Sequence, residues 1–312
     1  MEYVGRLAPS PTGALHLGNV RTFMIAWLRA RSQGGRVILR TEDLDHPKDK
    51  PGAAESAIDD LRWLGFDWDE SYVQSERKHL YRAALESLLH SHPAPLVYPC
   101  ICSRKDVESA QSAPHAGEQL HYPGTCRDRF ASWDEAFAAK GSAPCWRFRT
   151  SPGTVVSFDD VFAGRYEQDV SATLGDFPVA RDESGAGYTL AVVVDDLAMG
   201  VTEVVRGDDL LPATPAQILI ARALGSPRVP SYCHVPLVVG PDGKRLAKRH
   251  GDTRVASYRA AGKRPEELLG FLAASCGWCR TGESVSLRDL VPRFRLDAIP
   301  HEPLVMANNG LI

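Results

Sequence analysis

The chain has 312 residues, 44% of them hydrophobic and 24% charged, with a formal net charge of −3. That is enough chain for one large or two modest domains with a sizeable core. The acidic balance excludes a globally basic nucleic-acid binder, so any RNA contact must use a local patch. No apolar run approaches the ~20 residues that span a bilayer. No basic segment followed by an apolar stretch opens the chain, and the first motif begins at residue 6, so a cytoplasmic protein without membrane contact is expected. Seven cysteines, an odd count, favour metal ligands and free thiols over disulfides.

In chain order, residues 3–7 read as a strand. Pro9, Pro11 and Gly13 then forbid regular structure. From Val20 the apolar residues Val20, Met24, Trp27 and Leu28 recur at helical spacing. His16 and Gly18 therefore sit at a helix mouth, where free N–H groups and a partial positive charge suit a phosphate. Gly18 allows close approach to the backbone, and His16 can donate to phosphate oxygens that gain charge in a transition state. Residues 36–40 predict a second strand, with Glu42-Asp43-Leu44-Asp45 at its C-terminal end, where open parallel sheets place ligands. Residues 53–64 and 80–89 predict amphipathic helices.

A different kind of segment begins at Tyr98. Cys100-Ile101-Cys102 is followed by a polar run ending at Tyr122-Pro123-Gly124-Thr125-Cys126. Two cysteines two apart with a third downstream suit tetrahedral zinc, and His115, His121 or Tyr122 could complete the set. Such a loop has no core of its own, so a metal would supply its folding energy. Cys276 and Cys279 have no second pair nearby and read as plain thiols, and Cys145 and Cys233 as core residues. Short strands are expected within residues 145–170, strands at 177–181 and 188–194 with a turn between, a strand at 202–206 and a helix at 215–224. Residues 235–239 lead into Lys244-Arg245-Leu246-Ala247-Lys248-Arg249. Eight Lys or Arg against one acid, Asp252, lie between residues 244 and 264, a place where a phosphate backbone could rest. Residues 266–275 and 287–294 look helical.

Several of these stretches together resemble a known family. Arg6, Ala8-Pro9-Ser10-Pro11-Thr12-Gly13 and His16-Leu17-Gly18 are similar to the HIGH signature of class I aminoacyl-tRNA synthetases, in the form used by glutamyl-tRNA synthetases. The likeness continues through residues 38–45, 63–69, 188–196 and 200–207. It ends at the basic loop, which occupies the place of the second signature, KMSKS. There Arg245 and Ala247 depart from the pattern and Lys248 keeps its second lysine. The residue after Gly18 is Asn19, unlike the His of the small-molecule adenylyltransferases that share the His-x-Gly loop.

The resemblance implies an α/β fold: a Rossmann-like parallel sheet, an inserted zinc-containing subdomain and a C-terminal helical subdomain. The expected units are residues 1–97 and 176–243 for the halves of the catalytic domain, 98–175 for the insertion and 244–312 for the basic loop and helices. It implies ATP with Mg²⁺ as substrate, with His16 and Lys248 catalytic and His16, Gly18, Asn19 and Lys248 on ATP. It implies L-glutamate held by Arg6, Ala8, Ser10, Glu42, Tyr188 and Arg206: two planar forks for two carboxylates, and Glu42 for the ammonium. It implies zinc, structural, on Cys100, Cys102, Tyr122 and Cys126, one per chain. The carboxylate is itself the nucleophile, so no general base is needed.

Val192 stands where glutamyl-tRNA synthetases typically carry Asn, four residues after the site tyrosine, and shortened paralogues of that family look apolar there too. About 60 residues follow Arg249, too few for the family's helical anticodon-binding region. The reading that follows is a monomer that activates glutamate and transfers it to the cyclopentene diol of queuosine in tRNA(Asp). The alternatives are a discriminating enzyme charging a tRNA 3′ end, and a non-catalytic relative that binds tRNA or glutamate.

Overall fold

The computed structural model describes residues 2–11, 13–44, 52–110, 120–181, 186–244, 246 and 252–306. Strand β1 (Val4–Leu7) is parallel to β2 (Arg36–Thr41), which is parallel to β3 (Glu70–Val73). Helix α1 (Leu17–Arg31) makes the first crossover and α2 (Ala53–Trp63) the second. On the far side of β1 lies β9 (Glu203–Gly207), itself parallel to β10 (Ser231–Val235). The join between β1 and β9 is made at Thr202: its N–H donates to Val4 O at 2.9 Å, and its Oγ1 accepts from Val4 N at 2.9 Å. The result is a mixed α/β fold built on parallel strands, as expected. Strands β1 and β2 are almost wholly buried, with α1 packed against both, and their apolar residues are interrupted mainly by arginines.

Helix α3 (Lys78–Leu89) leads into β4 (Val97–Cys100), α4 (Arg104–Ala110), α5 (Trp133–Lys140) and β5 (Cys145–Phe148). Strand β5 pairs antiparallel with β4 and with β8 (Phe177–Ala180). Between them β6 (Val155–Asp160) and β7 (Gly164–Asp169) form a hairpin that ends in the one-turn helix α6 (Val170–Thr173).

One expected strand is a helix. Residues 188–194 open α7 (Tyr188–Ala198). An apolar run such as Leu190 to Val194 fits a buried helix as well as a buried strand. Here the element continues for 11 residues, packs against α3 and buries Asp195 and Asp196 beside cationic partners. Helix α8 (Thr214–Ala223) and the two-residue β11 (Val238–Val239) follow. After the basic loop come α9 (Val255–Ala260), α10 (Pro265–Ala274) and α11 (Leu287–Leu290), the last shorter than expected. It tightens into a 3₁₀ turn at Val291–Arg293, where Pro292 cannot supply an N–H. A last pair of residues, β12 (Leu304–Val305), pairs with β11.

Two large apolar cores result among the described residues. One joins α1 and β2 to Leu268, Leu269, Leu272, Trp278 and Leu287 of the C-terminal helices. The other lies between α3, α7, α8 and the strands of the middle of the chain. The C-terminal helices thus share their core with α1 and hold it from behind. A small third cluster of Tyr98, Cys100, Val107, Tyr122 and Cys126 gives the cysteine segment a core that the sequence reading did not expect.

Candidate active site

The C-terminal ends of β1, β2 and β9 open on a cleft of about 600 Å³. Arg6, Ala8, Ser10, His16, Gly18, Asn19, Glu42, Tyr188 and Arg206 all line it, so the structure brings these expected residues together from five elements. Lys248, with Arg245, Ala247 and Arg249, lies outside the described residues.

The loop after β1 is closed by Glu42 N, which donates to Pro9 O at 2.9 Å. His16 is the N-cap of α1 and its backbone N–H reaches Asn19 Oδ1 at 3.4 Å. The segment that follows the basic loop zips onto it: Leu17 N donates to Thr253 O and Val255 N to Leu15 O. The buried Thr253 hydroxyl lies 3.3 Å from His16 Nδ1. A Cβ built on Gly18 would meet only ordinary contacts, at 3.6 Å from Val238. Packing alone therefore does not demand glycine there, and the bare backbone faces the cleft.

Arg6 is buried; its Nη1 donates to Val205 O at 3.1 Å and its Nε lies 3.4 Å from Asp196. Glu42 is held by a residue the sequence reading did not single out. Arg40, fully buried, donates to Glu42 at 2.9 Å and to Asp196 at 2.6 Å. Asp195 next to it accepts from Gln74, Arg77 and Tyr81. Burial pushes the Glu42 carboxyl above its ordinary range, with Arg40 and Arg6 opposing the rise. A ligand ammonium in the cleft would pull it back down. Burial, with Glu42 nearby, raises the Tyr188 hydroxyl as well, although 45% of the residue's surface stays open to the cleft.

Arg206 differs from Arg6. Its Nε donates to His234 Nε2 at 2.9 Å and its Nη2 to Thr214 Oγ1 at 2.7 Å. Nη1 is buried and makes no hydrogen bond. No carboxylate among the described residues pairs with it within 4 Å. Burial lowers its pKa from the ordinary value, yet a guanidinium stays charged at neutral pH. Such a group is costly unless a ligand supplies the missing acceptor.

Residues that sequence reasoning did not single out also line the cleft, among them Thr22, Phe23, Asp209, Leu237 and Val238, and Leu246 of the basic loop joins them. Asp209 and Leu237 follow β9 and β10 directly. The rule that ligands sit beyond the carboxyl ends of parallel strands could have found them. Val192 is buried on α7 one turn past Tyr188, on the same face.

The cysteine cluster also forms. The sulfurs of Cys100, Cys102 and Cys126 converge at one point. Cys102 Sγ is 3.5 Å from Cys126 Sγ, and the Tyr122 hydroxyl is 3.3 and 3.7 Å from Cys100 and Cys102. Four ligands at ordinary zinc distances stand roughly 3.5 to 3.8 Å apart along tetrahedron edges, so the donor set fits the ion. His121 instead contacts Ser171 O at 3.2 Å, and His115 lies outside the described residues. Hydrogen bonding from Cys145, then from Tyr122 and Arg147, holds the Cys100 thiol below its ordinary range, which favours the thiolate that a metal would need. Cys145 is therefore no mere core residue: it pairs with Cys100 across β4 and β5. Gly175 (φ +63°) anchors the loop, since a Cβ there would stand 2.4 Å from Tyr122 O. Cys233 and Cys276 are buried free thiols and Cys279 is half-buried.

The basic stretch is less bare than its sequence suggests. Arg254 pairs with Asp252, Arg259 with Asp59 at 2.5 Å, and Lys263 and Arg264 with Glu267 at 3.8 and 3.7 Å. The fold brings in two acids from outside the counted window. These exposed pairs are weak and a phosphate backbone could compete for them. No helix among the described residues is long and apolar enough to cross a membrane.

A family model described as "tRNA synthetases class I (E and Q), catalytic domain" matches residues 2–293. A protein of Symbiobacterium thermophilum named Glutamyl-Q tRNA(Asp) synthetase is 50% identical, over 96% of this chain and 94% of its own length. One of the same name from Rhodopirellula baltica is 46% identical, over 98% of this chain and 97% of its own length. Among solved structures, a glutamate tRNA ligase of Elizabethkingia meningosepticum, determined in complex with its amino acid, superposes with a TM-score of 0.82 at 26% identity. That match covers 99% of this chain and 68% of the ligase.

Proposed function

We infer what this protein does from one premise: the chain belongs to the class I tRNA synthetases of the E and Q type, whose catalytic domain it carries. It is a ligase that activates L-glutamate with ATP and transfers the glutamyl group to queuosine of tRNA(Asp), the reaction its relatives are named for. The observation in the site that carries this reading is Arg206, a buried guanidinium with an unfilled donor that lines the same cleft as Arg6 and Glu42.

In this reading Arg6 and Arg206 take the two carboxylates, Glu42 faces the ammonium, and Tyr188, Ser10 and the Ala8 backbone close the walls. His16, Gly18 and Asn19 receive ATP at the mouth of α1, with Mg²⁺ on the phosphates. His16 and Lys248 then donate to the oxygens that gain charge as pyrophosphate leaves. Cys100, Cys102, Cys126 and Tyr122 hold one structural zinc, which when bound ties the polar loop between β4 and β5 to the sheet. Residues 98–175 act as an inserted subdomain between catalytic halves at 1–97 and 176–243. Residues 244–312, with the basic loop and the helices behind α1, contact the RNA stem through its phosphates. The cyclopentene diol of queuosine offers hydroxyls arranged like those of a terminal ribose, so the same carbonyl transfer serves.

The test is to incubate the protein with labelled glutamate, ATP and tRNA. The label is expected on tRNA(Asp) bearing queuosine, alkali-labile, and retained after removal of the 3′ terminal adenosine. Charging of unmodified tRNA(Glu) at its 3′ end would falsify the transfer step and leave a 3′-end-charging ligase.

A further inference from the structure

Arg206 heads a chain of three buried side chains from three elements. His234 on β10 is the direct neighbour of Arg206 on β9 in the parallel ladder. Its Nε2 faces Arg206 Nε at 2.9 Å and its Nδ1 faces Asp160 Oδ2 at 2.6 Å. Asp160 ends β6 and is itself fixed by the N–H groups of Phe162, Ala163 and His234 at 2.8 to 3.0 Å. All three side chains are buried.

The protons in this chain are determined by the partners. An ionised Asp160 only accepts, so Nδ1 carries the hydrogen. Arg206 Nε only donates, so Nε2 must be the bare nitrogen. A second proton on the ring would set N–H against N–H. Burial and the two nearby cations, Arg206 and Arg6, all disfavour it, against the pull of Asp160.

A carboxylate in place of His234 would orient Arg206 equally well and would also neutralise it. Arg6 has such a partner in Asp196, which Arg40 shares. Arg206 has a neutral one. We propose that His234 is a specificity-determining positioning residue, a neutral acceptor locked by Asp160 that aims Arg206 into the cleft and leaves its charge for the ligand to balance. A second carboxylate on the substrate meets that need and the amide of glutamine does not. This rests on the reading of the cleft as a glutamate site, and it adds the tautomer of His234 and the role of the β6–β7 hairpin.

Three variants and one spectrum test it, with ATP–pyrophosphate exchange as the assay and glutamate and glutamine as probes. Asp160→Asn keeps the shape but presents an N–H to Nδ1, which flips the hydrogen to Nε2 against Arg206. It is expected to raise the KM for glutamate about tenfold or more with kcat changed less than about threefold. His234→Gln, which keeps a neutral acceptor, is expected to stay within a few-fold of the wild type. His234→Glu is expected to raise the KM for glutamate and to narrow the glutamate-to-glutamine ratio of kcat/KM by about tenfold. In the wild type, ¹⁵N spectra of the histidines are expected to show His234 neutral with the hydrogen on Nδ1; the other tautomer overturns the proposal without any variant. So does wild-type KM and selectivity in both Asp160→Asn and His234→Glu, or a loss confined to kcat. Absence of glutamate-dependent exchange in the wild type would overturn the reading of the cleft itself, and this inference with it.

Discussion

The His16 imidazole and the Thr253 hydroxyl meet at 3.3 Å although 237 residues separate them. The contact ties the mouth of α1 to the chain segment that follows the basic loop. His16→Ala is expected to lower glutamate-dependent pyrophosphate exchange by about two orders of magnitude or more, the scale of losing a transition-state donor. Thr253→Val removes only the hydroxyl behind Nδ1 and should give a smaller fall, seen in kcat with KM for ATP nearly unchanged. Wild-type rates in both variants would reject the role of His16.

The acid side of the pH profile is set by Glu42. Its folded pKa is raised, first by burial, so the carboxylate proposed to face the substrate ammonium is lost as pH falls through a value above the ordinary carboxylate range. For stability the sign is the reverse. A raised carboxyl pKa favours the folded state at low pH, and that contribution is lost as pH rises through the folded value. The KM for glutamate should therefore climb on acidification while the apo protein does not lose stability through this group. In Glu42→Gln the climb should vanish and KM should be high at every pH.

Metal content is a direct check on the thiol cluster. Protein purified without chelator is expected to carry about one zinc per chain. Cys100→Ser and Cys126→Ser should lose it and melt earlier. Tyr122→Phe should bind more weakly, because one tetrahedral position falls to water. Metal-free protein of unchanged melting temperature rejects the site.

Val192 offers a gain-of-affinity test. It is buried one turn beyond Tyr188 on the same face of α7. Val192 is not among the residues that line the cleft, so Val192→Asn tests whether an amide there reaches the substrate; if it does, the KM for glutamate should fall several-fold. An unchanged or higher KM means that the amide finds no partner and that a weak site has another cause.

The sequence by itself determined the parts of this protein that depend on neighbours in the chain. The proline-rich loop and helix after β1, the acidic turn after β2 and the two thiols flanking Ile101 are local patterns, and each folds as its residues dictate. The run at residues 188–194 marks the limit of that reading, because an apolar stretch fits a buried helix or strand equally and only packing against α3 and α8 selects one. Tertiary structure alone decided the electrostatics. Arg40 is a strand residue like any other until the fold sets it between Glu42 and Asp196. His234 and Asp160 are 74 residues apart and carry no motif, yet their hydrogen bond fixes which way Arg206 points. The basic stretch at residues 244–264 shows the same thing in reverse, since Asp59 reaches Arg259 across 200 residues and lessens a charge that the sequence counts in full. Periodicity reports which face of an element is buried; which charges meet inside is set by long-range packing, which a linear pattern does not encode.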